Sequence, residues 1–319
     1  MSALGDIAVM LGRAPARPAR RTDAATVLHA RKRGTGREVL QLLEQLATRS
    51  KVHTWRNRRW AVLISINLLF GLSFWIDIQL FEGSLTASRV LGFHLADPYS
   101  SLLVMLAEHH LPINLAIGAV TVMLMWMIFG GRGYCSWVCP YHLVAEFAEM
   151  LHVKLANSRL VRDHAFHRGA RVVFWVALAA LAYTTGQTLF LTLNPIGILS
   201  RAVVYGPSLA LVWVLLLLTF EVVYSRRAWC RYVCPIGLTF GLVGAQAPVR
   251  VTYDLERCAH EGECRKVCEV PHVLDVTIKG RAADARTDIG PDCTRCGLCL
   301  DACPTNSLNF DIKGLSAIL

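Results

Sequence analysis

Near the end of the sequence, Cys293-x-x-Cys296-x-x-Cys299-x-x-x-Cys303-Pro304 spaces four thiols closely. Such spacing lets a tight loop aim three thiolates and several backbone N–H groups at one iron-sulfur cluster, while the fourth cysteine reaches a neighbouring cluster. A zinc site would draw its tetrahedral set from two separated Cys-x-x-Cys knuckles. The run therefore predicts a [4Fe-4S] cluster. Upstream, the segment from Cys258 to Cys268 repeats the first, third and fourth positions with Cys258, Cys264 and Cys268, and has Glu261 in place of the second cysteine. In a crossed arrangement Cys293, Cys296, Cys299 and Cys268 hold one complete [4Fe-4S] cluster. The second cluster has Cys258, Cys264 and Cys303, plus whatever Glu261 or His260 offers. Three thiolates suffice for [3Fe-4S]; an oxygen ligand from Glu261 would give a labile [4Fe-4S] cluster of altered potential.

The other four cysteines form two pairs, Cys135 with Cys139 and Cys230 with Cys234, each followed by proline. Gly133-Tyr-Cys-Ser-Trp-Val-Cys-Pro140 and Ala228-Trp-Cys-Arg-Tyr-Val-Cys-Pro235 match at a constant offset of 95, and Asp97-Pro98 and Asn194-Pro195 precede them in the same order. Residues four apart share a helix face. Repeat symmetry could bring the four sulfurs to one site holding a further cluster, a copper or zinc ion, or a redox-active dithiol pair. A cysteine that serves only as a small buried hydrophobe has no need of fixed spacing.

These residues must be positioned by a very apolar chain. Its 319 residues are 54% hydrophobic with a mean hydropathy of +0.42, too apolar for an ordinary soluble protein. Stretches Trp60 to Leu80, Leu111 to Gly130, Arg171 to Leu193 and Ser208 to Tyr224 are long enough to cross a hydrocarbon core, which needs roughly 20 apolar residues. The expected fold is a membrane all-α unit at 51–247, four transmembrane helices in two pseudo-symmetric pairs, followed at 248–319 by a small α+β bacterial-type ferredoxin-like domain. Residues 1–50 read as a basic tail, disordered to about residue 35 and carrying an amphipathic helix over 37–47. The Lys and Arg distribution places both termini and the ferredoxin-like domain in the cytoplasm. The net charge of +10, with thirteen of the thirty-three Lys and Arg before Trp60, is read as membrane topology and not as a nucleic-acid footprint.

No cleavable leader is predicted. The absence of Cys-x-x-Cys-His excludes covalent c-type haem, and no Gly-x-Gly-x-x-Gly follows a strand to suggest a dinucleotide. On the predicted outer side, His94, His109 and His110, with Glu82, Asp97 and Glu108, are candidate proton acceptors for a quinol. Trp60, Trp75, Trp126, Trp137, Trp213 and Trp229 read as interfacial belt residues.

From about Trp55 to Asn309 the sequence resembles the NapH-type membrane ferredoxins and their MauN-type and NosR-type relatives. The resemblance is carried by Asp97-Pro98, Cys135-Ser-Trp-Val-Cys-Pro140, Asn194-Pro195, Trp229-Cys-Arg-Tyr-Val-Cys-Pro235-Ile-Gly, Pro271-His-Val-Leu274 and the C-terminal cysteine run. It implies electron transfer at the bacterial inner membrane, from the quinol pool towards a periplasmic oxidoreductase of nitrate reductase type, through a periplasmic ferredoxin-type or cytochrome c partner. The alternatives are a maturation or electron-supply factor for an enzyme of methylamine dehydrogenase or nitrous oxide reductase type, and a redox sensor. Two positions depart from the family pattern: Glu261 replaces a cysteine, and Glu269 stands where the family usually has proline.

Overall fold

A computed structural model of the chain describes residues 3–15, 17–32, 54–76, 81–84, 87–90 and 93–313. Two short N-terminal helices, α1 (Ala3–Met10) and α2 (Asp23–Arg31), precede two copies of one helical plan. The first copy has α3 (Thr54–Trp75), a three-stranded antiparallel meander β1 (Phe81–Ser84), β2 (Ala87–Val90) and β3 (Phe93–Ala96), then α4 (Pro98–Glu108), α5 (Ile113–Phe129), α6 (Gly133–Trp137) and α7 (Pro140–Asn157). The second has α8 (Ala170–Thr185), α9 (Leu189–Leu193), α10 (Pro195–Tyr205), α11 (Leu211–Val223), a π-helical turn at Trp229–Val233 and α12 (Pro235–Val243).

Local sequence chemistry explains where these helices begin. Asp97 and Asn194 cap α4 and α10, accepting from Ser100 N at 2.8 Å and Ile196 N at 3.1 Å, and each is followed by proline at the first helical position. Cys139 and Cys234 stand in the same relation to α7 and α12, extended residues ahead of Pro140 and Pro235. Gly130 and Gly186 end α5 and α8 in the left-handed conformation, with φ of 105° and 66°.

Those breaks overturn the expectation of four transmembrane helices. Among the described residues no helix is long and apolar enough to cross a membrane. The 17 residues of α5 reach only about 26 Å at about 1.5 Å per residue, against a hydrocarbon core of about 30 Å. The expected third crossing is split at Gly186 into α8 and α9, and α11 has 13 residues. Helix α3 has 22 residues, but Arg56, Arg58, Arg59 and Asn67 dilute its apolar character. The all-α expectation also missed the β1–β3 meander, and α4 and α10 are short helices lying between the expected crossings.

The apolar residues that suggested crossings divide between two environments. Leu103, Val122, Phe190, Val214 and Phe240 are buried in one core that also holds Cys139 and Cys234. Leu68, Leu69 and Leu72 of α3, Val120, Leu124 and Ile128 of α5, and Leu215 and Leu216 of α11 are exposed.

The C-terminal part contains β4 (Val249–Asp254), α13 (Glu263–Val267), a 3-10 turn at Pro271–Thr277, β5 (Arg286–Asp288), α14 (Leu298–Ala302) and β6 (Leu308–Ile312). Its antiparallel sheet runs β5-β4-β6, with Val251 opposite Phe310, over a core of Val251, Tyr253, Leu255, Leu274, Ile289 and Leu308. The N-terminal segment, expected to be disordered to about residue 35, contains α1 and α2. Ala25 is fully buried in the C-terminal core, His29 pairs with Ala282 O at 3.0 Å, and Arg171 donates to Met10 O at 3.0 Å. Backbone partners far away in sequence fix this segment, which is why periodicity did not reveal it. The amphipathic helix expected over 37–47 lies outside the described residues.

Candidate functional site

The two C-terminal cysteine runs share one backbone path at an offset of 35. Cys293 accepts from Arg295 N at 3.4 Å, and Cys258 accepts from His260 N at 3.3 Å. Arg295 and His260 are left-handed with φ of 55° and 59°, as are Gly297 and Gly262 with φ of 77° and 83°. The five-residue helices α14 and α13 follow in register. Glu261 thus occupies the place that Cys296 holds in the other run. Its Oε2 is buried and has no hydrogen-bond partner, a condition that costs about 1–3 kcal/mol or more for a charged group.

Chain crossing brings Cys268, Cys293, Cys296 and Cys299 around one cavity walled by Val251, Val270 and Leu274. The Cys264 thiol feels Glu261, Cys258 and Cys303, and burial, as the largest influence, pushes it up to about 11. Cys268 and Cys299 are pushed well above the usual thiol range, again by burial first. Buried thiols of this kind give up protons when a metal's charge replaces them.

The four repeat cysteines also meet. Cys135, Cys139, Cys230 and Cys234 line a second cavity together with Arg132, His142, Arg227, Glu269 and Thr294. Backbone N–H groups at the start of α7, from Tyr141 and His142, point at Cys139, and that of Gly237 in α12 points at Cys234. Two helix N-termini therefore direct their positive ends at sulfur. Burial raises Cys139 and Cys230 well above the thiol range and Cys234 to about 12; the guanidinium of Arg132 opposes the rise at Cys135 and Cys234, and that of Arg227 at Cys230.

Arg132 and Arg227 are themselves repeat equivalents, each three residues before a cysteine, and each grips a carboxylate beside a cysteine of the first cavity. Arg132 donates to Asp292 Oδ1 at 2.6 Å, where Arg171 also donates at 3.0 Å; Asp292 precedes Cys293. Arg227 lies 3.3 Å from Glu269 Oε1, which follows Cys268 and also meets Arg59 at 2.8 Å and His142 at 2.9 Å. Burial favours protonating these carboxyls, yet Arg227 and His142 with Arg59 at Glu269, and Arg132 with Arg171 at Asp292, hold both well below the usual carboxylate range. The ligand atoms of His142, Glu146 and Glu269 lie within 4.8 Å of one another, a spacing that could hold a metal. Arg59 contacts all three, so a guanidinium already satisfies that cluster.

The two cavities share a wall formed by Val270 and Thr294. Across it, Ser136 Oγ donates to Thr294 O at 2.6 Å and Trp137 Nε1 to Arg295 O at 3.1 Å. The turn between Cys135 and Cys139 is thereby fixed to the loop between Cys293 and Cys296. Trp137 and the buried Trp229, read as belt residues, serve these internal sites. Sequence reasoning missed the arginine and carboxylate partners; the signal available was the 95-residue offset, which extends back to Arg132 and Arg227. His94, His109 and His110 are exposed and line neither cavity.

Two four-cysteine cavities, one at the crossed C-terminal runs and one in the helical repeat, define an iron-sulfur electron carrier of ferredoxin type. Two families described as 4Fe-4S binding domain match the chain, one over residues 111–158 and 205–249 and the other over 291–309. The methylamine utilization ferredoxin-type protein MauN of Methylorubrum extorquens is 31% identical over 83% of this chain and 92% of its own length. The ferredoxin-type protein NapH of Escherichia coli is 29% identical over 86% and 93%, and MauN of Paracoccus denitrificans is 34% identical over 63% and 71%. No solved structure matches. The chain belongs to the NapH and MauN family of ferredoxin-type proteins.

Proposed function

We propose that the protein is the quinol-oxidising component of a bacterial electron-transfer system, passing electrons through its cysteine sites to a periplasmic ferredoxin-type or cytochrome c partner that serves an oxidoreductase of nitrate reductase type. Cys268, Cys293, Cys296 and Cys299 would hold one [4Fe-4S] cluster. Cys258, Cys264 and Cys303 would hold a second, with the orphaned Glu261 Oε2 as its oxygen ligand. Cys135, Cys139, Cys230 and Cys234 would hold a third metal centre, for which the 4Fe-4S domain match over both repeat halves favours iron and sulfide. Bound there, iron-sulfur clusters supply reversible one-electron transfer.

The observation that carries this reading is the wall shared by two four-cysteine cavities, since adjacent clusters exchange electrons without a mobile carrier. The chain's own part is to keep the sites dry and to balance their negative charge with Arg132 and Arg227. The exposed apolar faces of α3, α5 and α11 support placing the protein against the inner-membrane lipid in which quinol resides.

EPR of anaerobically purified protein, before and after addition of a reduced quinol, tests the proposal. A reduced-cluster signal brought up by quinol supports it. Clusters that dithionite reduces but quinol leaves untouched would contradict it and favour an electron-supply or sensing role.

A further inference from the structure

Between the helical repeats and the C-terminal sheet lies a third cavity of about 680 Å³, within the range of sites that take small organic molecules. Its walls are apolar and include the aromatic rings of Phe70, Trp126, Tyr134, Trp137 and Phe240, with Tyr134 and Phe240 4.7 Å apart between ring centroids. Arg295 lines both this cavity and that of Cys268, Cys293, Cys296 and Cys299, and Tyr134 immediately precedes Cys135. A flat ring bound here would sit beside two cysteine sites at once.

Among the described residues Asp97, which is 5% exposed, is the only acidic residue lining this cavity. Its Oδ2 caps α4, whereas its Oδ1 is buried without a hydrogen-bond partner. Capping alone does not require the charge, because Asn194 does the same work for α10 in the second repeat, and asparagine and aspartate cap about equally well. A buried charge beyond what capping requires, on the wall of an apolar cavity, calls for a function.

We propose that this cavity binds the aromatic ring of a quinol and that Asp97 is the catalytic residue that takes a hydroxyl proton during oxidation. The inference rests on the quinol reading above and assigns it a place. Oxidation breaks both quinol O–H bonds and converts the two C–O bonds of the ring to C=O. Two electrons would leave singly to the oxidised iron-sulfur clusters that the cysteine sites would hold; one proton goes to Asp97 Oδ1 and the other to solvent. Burial raises the Asp97 carboxyl to about 6, so near neutral pH it is ionised and ready to accept. The titratable groups that face it are Tyr99 of α4, Tyr134 of α6 and Cys234 ahead of α12; none is cationic. The exposed His94, His109 and His110 line no part of the cavity.

The test uses the full chain loaded with its clusters. Tryptophan fluorescence follows binding of a short-chain quinone, and visible absorbance follows cluster reduction by the matching quinol. Met125→Trp and Val62→Trp fill the cavity from α5 and α3 and are expected to abolish quinone quenching while dithionite still reduces the clusters. Asp97→Asn is expected to retain quinone binding and to slow reduction by quinol at least about tenfold. Wild-type protein that quinol reduces, alongside filled and Asp97→Asn variants that bind and react like it, would overturn this site and leave the quinol reading standing. Wild-type protein that quinol does not reduce, despite clusters that dithionite reduces, would overturn that reading and the site with it.

Discussion

Glu261 stands, in sequence and in backbone path, where the other run has Cys296. The spacing marked it as a substitute for the second cysteine, and the shared left-handed positions at His260 and Gly262 give it the backbone of Cys296. Glu261→Cys is therefore expected to complete a set of four thiolates and to replace any [3Fe-4S] or oxygen-ligated signal with that of an ordinary [4Fe-4S] cluster, as read by EPR; an unchanged spectrum would deny Glu261 that place. Glu221 offers a test of burial. It accepts from Trp229 N at 2.9 Å, and burial raises its carboxyl from 4.5 to about 7. The folded protein then holds a proton that the unfolded chain has released, so stability falls as pH rises through that window, by about 3 kcal/mol in all. Glu221→Gln should flatten the difference between unfolding curves measured at about pH 5 and about pH 7. Neither Glu221 nor the Glu269 hub could be read from sequence, because pairing between residues far apart in the chain is decided by tertiary packing.

Among the elements, the apolar stretches were legible and their lengths were not. Asp97-Pro98 and Asn194-Pro195 were recognised as repeated features, and both are helix starts of the cap-and-proline type. Gly130 and Gly186 lie within or beside those stretches and end helices that hydropathy alone would extend. Gly131 illustrates how tightly the broken ends pack. Its φ is 58°, and a Cβ there would come within 2.2 Å of Phe240 O and 2.4 Å of Gly244 Cα. Gly131→Ala is expected to destabilise the fold by more than about 1 kcal/mol, since strain and collision act together. Denaturant unfolding would measure it, and a wild-type midpoint would show that α5 and α12 can separate at no cost.

At the scale of the whole molecule, the design joins a duplicated helical unit to a duplicated cysteine domain. Arg132 to Asp292 and Arg227 to Glu269 connect the duplications, each ion pair running from beside one cysteine site to beside the next. The repeat was visible in the sequence because its motifs recur at a fixed offset, and so was the crossed cysteine domain. Their docking was not, since it rests on single charged residues and on backbone hydrogen bonds such as that from Ser136 to Thr294. The four repeat cysteines, across the wall of Val270 and Thr294, are proposed to form one metal centre beside the cluster site of the C-terminal domain. Mössbauer spectroscopy of iron-57-enriched protein tests it most directly, comparing wild type with the Cys135→Ser, Cys230→Ser double variant. The variant is expected to lose one sulfur-coordinated iron component and to keep the components assigned to the C-terminal cysteines; identical spectra from the two proteins would rule out a metal centre at the repeat cysteines.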